Sequence, residues 1–286
     1  MPNKPRAAYL FLAPFLGVFV LFWVWPIAYS AYLSVMNTRG ATYAFAPQMN
    51  WGRLLQDPAF ANALQNTLII MGIQVPVMII LATLLAVALN STLLKGRGLV
   101  RFAFFAPVVV SEVAYAAVFR LMFNADFGVV NKVLANVGLP EVSWFSDPEA
   151  ALAVIIIAVT WRWVGYNAII ILSGLQSIPQ DVYEAATLDR VPKWKQFLFI
   201  TVPLLKPVLI FAAVLSIIGS LQLFVEPFLI TDRGGPGGAT ETLGLFIYRQ
   251  GFNQFNFGYA SAIAYTLAAM AVFFSALNLW LGRERT

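Results

Sequence analysis

Thr67-Leu-Ile-Ile-Met-Gly-Ile-Gln-Val-Pro76-Val-Met-Ile-Ile-Leu-Ala-Thr-Leu-Leu-Ala-Val-Ala-Leu-Asn-Ser91 carries no charged side chain. It is longer than the about 20 mostly apolar residues that cross a bilayer as a helix. Five more stretches pass the same test: 7–36, 102–123, 150–173, 207–230 and 260–282. Their apolar runs are continuous rather than alternating, which excludes a transmembrane β-barrel. The whole chain agrees: 286 residues are 60% hydrophobic and only 11% charged, with a mean hydropathy of +0.77. A soluble domain carries about 25% charged residues. The fold class is therefore all-α integral membrane, with six transmembrane helices in one domain spanning 1–286. The first stretch, with Pro14 and Pro26, reads as a retained helix rather than a removed signal peptide.

The chain has no histidine and no cysteine. That removes Cys/His metal sites, Ser-His-Asp and Cys-His catalysis and disulfides. No metal or catalytic residue is expected. The net charge is +5, but in a multi-pass protein the placement of Lys and Arg matters more, because it sets orientation. One side collects Lys4, Arg6, Lys95, Arg97, Arg101, Arg190, Lys193, Lys195, Lys206, Arg283 and Arg285. The other collects only Arg39, Arg53, Lys132, Arg233 and Arg249. Both termini are therefore expected in the cytoplasm. No basic run lies away from a membrane flank, so nucleic-acid binding is not expected. Trp23, Trp25, Trp51, Trp144, Trp161, Trp163 and Trp280 cluster near span ends, as interfacial belts do.

The most informative connection is 177–203, between the fourth and fifth stretches. Pro179 suits the first position of a helix, and Asp181 and Glu184 then lie toward its positive end. Ala185, Ala186 and Leu188 continue it. Pro192 marks a second short helix, with Trp194, Phe197, Leu198 and Ile200 spaced for one apolar face. Pro203 and Pro207 follow. The loop reads as helix, turn, helix on the inner side. Residue types leave two roles open: an interfacial hairpin, or a knob docking in a cleft of a cytoplasmic partner.

Glu184-Ala-Ala-Thr-Leu-Asp189, with Phe197, Ile200 and Pro203 at fixed offsets, resembles the EAA loop of ATP-binding-cassette importer permeases. Arg190 stands where that family has Gly, and Val191 where it has Ala. The similarity extends to Tyr9–Pro14 and Pro26, Phe104–Pro107, Trp161–Tyr166, Gly174–Pro179, Gly234–Pro236, Thr240–Leu243 and Ile247–Phe252. These later motifs are similar to the sugar-importing branch, specifically to the first permease of maltose-type and glycerol-3-phosphate-type systems. The resemblance implies a type I permease fold with a cytoplasmic coupling loop, in a bacterial-type inner membrane. It implies a second related permease, two ATPase subunits and an extracytoplasmic solute-binding protein as partners. It makes Glu184, Ala185, Ala186, Asp189 and Arg190 the contact to an ATPase. ATP and Mg would be bound by those ATPases and no cofactor by this chain, which lacks G-x-x-x-x-G-K-[ST].

Polar residues in spans are costly and mark interior or water-filled paths. In the fifth stretch Ser216, Gly219, Ser220, Leu223, Glu226 and Pro227 follow i+3/i+4 steps on one stripe, with Gln222 beside it. In the fourth, Trp163, Gly165, Tyr166 and Asn167 sit together, and Trp163, Gly165 and Tyr166 match the family's solute-contacting pattern. Such residues suit a sugar, which needs hydroxyl partners and an aromatic face. Small residues there also serve helix packing, as expected for Ser261 and the alanines that follow it. Arg120 and Arg162 are expected to snorkel at the outer interface. Glu112 and Glu226 are the intramembrane carboxylates, and they allow a rival reading as a proton-coupled secondary transporter. The missing histidines and the lack of an inverted repeat speak against it. A further rival is a membrane scaffold that transports nothing. The outer loop Thr231–Tyr259, with Gly234-Gly-Pro-Gly-Gly238, is expected to be flexible, its aromatics facing a partner or the interface.

Overall fold

The computed structural model describes residues 4–39, 43–91 and 94–282. Arg283 and Arg285, used above for orientation, lie outside the described residues, as do the side chains of Lys4 and Arg6. Helices dominate; the one described sheet is a two-residue antiparallel pair, Met36 opposite Phe45 and Asn37 opposite Ala44. The chain forms two compact units: Met1–Phe60 with Phe246–Ala268, and Ala61–Leu245 with Ala269–Thr286.

In the first unit, Tyr9–Ser34 is a candidate span of 26 residues whose apolar window is 0% buried. Phe11, Phe15, Phe22 and Trp23 all point outward. Water would not tolerate such a surface; hydrocarbon does. A widened π-turn at Val20–Val24 precedes Pro26, a usual device where the ladder loses a donor. Asn50 ends this helix, its Nδ2 donating to the carbonyls of Ser34 at 3.0 Å and Met36 at 2.9 Å. Asp57 precedes the next helix and accepts from the Ala59 amide at 3.0 Å and from the Tyr259 hydroxyl at 2.9 Å. Arg53 lies 3.3 Å from the same carboxylate and 4.2 Å over the Tyr259 ring. Burial alone would raise the Asp57 carboxyl, but these hydrogen bonds and the Arg53 charge outweigh it and hold it below its ordinary value.

Among the described residues the second unit has two apolar cores. Ala82, Ala86 and Leu89 meet Ala168, Ile171, Leu172, Leu175 and Leu205 in one. Ile70, Tyr115, Phe119, Ile155, Val159 and Ile230 belong to the other. The alanines and glycines let backbones close up, the usual basis of helix association in lipid. A Cβ on Gly165 would overlap the Phe104 carbonyl, and one on Gly174 would press on the Val208 side chain. The Pro148–Gln176 helix begins where Asp147 accepts from the Ala150 amide at 2.8 Å, a standard N-cap.

Two expected spans are broken rather than continuous. The third stretch, expected as one helix over 102–123, is two helices, Arg97–Val109 and Glu112–Met122, bent by 97°. Val110 and Ser111 are extended between them, three residues after Pro107. Pro107 itself removes the N–H that would bond the Ala103 carbonyl, loosening the turn that leads into the break. Five described helices are long and apolar enough to cross a membrane, six when this bent pair counts as one. The fifth stretch is interrupted too: Val202–Leu221 ends, and Val225–Leu229 begins a short new helix. The Thr242 hydroxyl donates to the Leu223 carbonyl freed at that break. Irregular backbone at membrane depth is tolerated only where protein or a cavity surrounds it.

Candidate functional site

The breaks frame a cavity of about 510 Å³ inside the second unit. Eight expected pathway residues line it: Trp163, Tyr166, Asn167, Ser216, Gly219, Ser220, Gln222 and Glu226. Gly165 does not. It is buried against the Phe104 backbone, where its missing side chain permits close helix approach. The expected stripe over 216–227 is not one helical face, because the helix stops at Leu221. The turn at 222–224 brings Glu226 round to the same cavity.

The lining combines an aromatic corner with hydroxyl-matching groups. The rings of Trp163 and Tyr166 are 5.8 Å apart at 86°. Asn167 donates to the Trp163 carbonyl at 3.1 Å, but its buried Oδ1 has no partner among the described residues. The buried Ser220 Oγ has none either. Buried polar atoms are normally satisfied, so these two await a ligand, water or neighbour. Gln74 and Phe224 also line the cavity and are absent from the sequence expectation. Gln74 was findable: it is the sole amide inside 67–89, and an intramembrane polar residue is informative.

Arg162 overturns an expectation. It is 5% exposed and does not snorkel. Its Nη2 lies 3.7 Å from Glu112, and its guanidinium lies 4.6 Å from the Tyr115 ring centroid. The Tyr115 hydroxyl donates to Glu226 Oε1 at 2.7 Å. One cation thus sits behind two cavity carboxylates. Desolvating a guanidinium is costly unless a counter-charge compensates, and Glu112 supplies it.

The 177–203 loop folds as expected into Gln180–Leu188, a turn, and Lys193–Gln196, which passes through a π-turn into Val202–Leu221. The Tyr183 hydroxyl lies 2.9 Å from the Thr201 hydroxyl, and Gln196 Nε2 donates to the Val191 carbonyl at 2.9 Å. The hairpin is therefore a built object rather than a slack linker. Glu184, Ala185, Asp189 and Arg190 are exposed; Ala186 is buried and packs inward instead. Leu188, Trp194 and Phe199 stand out beside them, Leu188 being 84% exposed. At the turn the Arg190 amide donates to the Thr187 carbonyl and the Val191 amide to the Ala186 carbonyl, which is a Schellman end. Arg190 holds φ at 56°, the left-handed position where Gly is preferred. Arg190→Gly is expected to tighten this turn by about 1 kcal/mol, read as roughly fivefold slower hydrogen exchange at the Val191 amide.

The glycine-rich loop 231–259, expected to be flexible, is fastened around its glycines. Asn62 and Asn66 each donate to the Gly238 carbonyl at 2.8 Å, and the Thr231 and Thr240 hydroxyls lie 2.6 Å apart. Gly234, Gly235, Gly237 and Gly238 all have positive φ, so these glycines serve a tight turn.

Residues 67–285 match the family model described as binding-protein-dependent transport system inner membrane component. The chain is 43% identical over 281 residues to the lactose transport system permease protein LacF of Rhizobium radiobacter, covering 97% of this chain and 94% of that one. It is 33% identical over 280 residues to the arabinooligosaccharides transport system permease protein AraP of Bacillus subtilis, covering 98% and 89%. Its fold is similar to that in the crystal structure of a bacterial ABC transporter involved in alginate import. That match has a TM-score of 0.85 at 23% identity and covers 99% of this chain and 97% of that chain. With two broken helices round a cavity, a built hairpin and relatives named as transport permeases rather than enzymes, the chain belongs to the family of binding-protein-dependent transport system inner membrane components.

Proposed function

We propose that a saccharide passes through the cavity beside Trp163 and Tyr166, handed on by a solute-binding protein and driven by ATP hydrolysed elsewhere. The chain itself is a multi-pass membrane permease subunit of a carbohydrate importer of the ATP-binding-cassette class. Nothing supports the proton-coupled alternative. Its two candidate carboxylates are engaged, Glu112 with Arg162 and Glu226 with Tyr115.

The observation that carries the solute path is the lining itself: an aromatic corner beside buried, unpartnered Asn167 Oδ1 and Ser220 Oγ. Sugars present apolar C–H faces and many hydroxyls, so they need this mixture. A buried acceptor left empty is costly and is relieved by a hydroxyl. The hairpin with exposed Glu184 and Asp189 would be the cytoplasmic contact to an ATPase that binds ATP and Mg. Both termini would then be cytoplasmic, with a second permease completing the path.

Tyr166→Ala tests the path. It removes one wall of the aromatic corner without touching the hairpin. Uptake of radiolabelled sugar by the reconstituted importer at low substrate is expected to fall about tenfold, the scale of one lost aromatic contact, while subunit assembly on gel filtration is unchanged. Unaltered uptake removes Tyr166 from the path.

A further inference from the structure

We infer that this permease admits uncharged saccharides and rejects anionic ones, with Glu112 and Glu226 as the residues that set the rule. The inference rests on the carbohydrate reading above and narrows it.

The charged side chains lining the cavity are Glu112 and Glu226 alone, and no Lys or Arg joins them among the described lining residues. Arg162 is near but lies outside the lining, packed on the Tyr115 ring with one nitrogen toward Glu112. It is 5% exposed and is not among the lining residues. The wall therefore carries two carboxylates against one withdrawn guanidinium. A uronate, sulfonate or phosphate on a sugar would approach that excess negative charge in a partly desolvated space, where screening is weak. Recognition of anionic groups calls for accessible guanidinium forks or clustered backbone N–H donors. The lining supplies neither fork nor ammonium, and the two helix starts that reach it, at Glu112 and Val225, each carry a carboxyl of their own in the first turn, Glu112 and Glu226. What it supplies are amides and hydroxyls: Asn167, Ser220, Gln74 and Gln222. These match neutral hydroxyls. A carboxylate wall also accepts hydrogen bonds from sugar hydroxyls, so attraction of the neutral solute and rejection of the anion come from the same groups.

The test uses the assembled importer purified in detergent, permease pair and ATPases together. Apparent affinities are read from the thermal midpoint against concentration of lactose, trehalose and arabinotriose, and of di- and trigalacturonate. The neutral sugars are expected to bind at least about tenfold more tightly than the galacturonates, the size of one poorly screened like-charge contact. The combined Glu112→Gln and Glu226→Gln variant is expected to narrow that ratio about tenfold for the same reason. Glu226→Asp, which keeps the charge, should preserve the ratio. Glu226→Gln alone keeps an acceptor for Tyr115 and gives a milder version if the double variant does not fold. Equal affinities for neutral and acidic sugars in the unaltered importer overturn the inference and leave the carbohydrate reading standing. Stabilisation by galacturonates over neutral sugars overturns it as well. No stabilisation by any of the five overturns the carbohydrate reading and this inference with it.

Discussion

Glu184→Lys is expected to reduce saccharide-stimulated ATP hydrolysis of the reconstituted importer by tenfold or more while the permease still inserts and assembles. Glu184 is exposed on the Gln180–Leu188 helix, and no hydrogen bond or ion pair from it to the rest of the chain is seen among the described residues. Reversing its charge therefore leaves the hairpin intact. The supports of the hairpin lie elsewhere, in the Tyr183–Thr201 and Gln196–Val191 contacts and the buried Ala186. Around Glu184 the surface has the make-up of a docking patch. Ala185 permits close approach, Leu188 projects, and Asp189 and Arg190 rim it. Placing a cation where a partner meets an acid costs about 2–5 kcal/mol when the contact is desolvated, which is tenfold or more in occupancy. Two measurements on one preparation decide it: stimulated hydrolysis in proteoliposomes, and the thermal midpoint of the purified complex. Full stimulation with an unchanged midpoint would remove the hairpin from energy coupling.

The spans were legible because burial in lipid imposes one rule, apolar side chains for about 20 residues, and 67–91 obeys it plainly. Their ends were less so. The second helix begins at Pro58, nine residues before the apolar run, because Phe60 and Ala63 turn inward and Asn62 and Asn66 bond the Gly238 carbonyl. Hydropathy measures greasiness, not helix. For the same reason it cannot see the breaks at Val110–Ser111 and Gln222–Phe224, which exchange backbone hydrogen bonds without changing composition. The hairpin was legible from its prolines and its resemblance to a family loop. Arg162 was not. Its partners Glu112 and Tyr115 come from a different helix, and nothing local in the sequence announces that pairing. The cavity lining was read from polar residues placed where polarity is expensive. Gly165, expected on the solute path beside Trp163 and Tyr166, is not among the lining residues, and its missing side chain is what the Phe104 backbone needs.

That last reading makes the second large prediction. Gly165→Ala is expected to destabilise the purified permease by about 3 kcal/mol, at the upper end of what overpacking costs. The added methyl would overlap the Phe104 carbonyl oxygen and carbon, and backbone cannot rotate aside as a side chain can. The Arg97–Val109 and Pro148–Gln176 helices must separate, and the close packing that replaces a hydrophobic driving force in lipid is lost along the pair. Two other glycines of the same unit calibrate the effect. On Gly174 the neighbour is the Val208 side chain, which can yield, so Gly174→Ala is expected to cost about 1 kcal/mol. On Gly219 nothing lies within 4 Å of the added carbon. There alanine gains about 0.5–1 kcal/mol of helix propensity, so stability holds or rises while a methyl enters the cavity and uptake slows. Thermal midpoints should therefore rank Gly219→Ala highest, Gly174→Ala next and Gly165→Ala last. Equal midpoints for the three would show that the helix pair tolerates a side chain at its closest approach, and that Gly165 is free for another role.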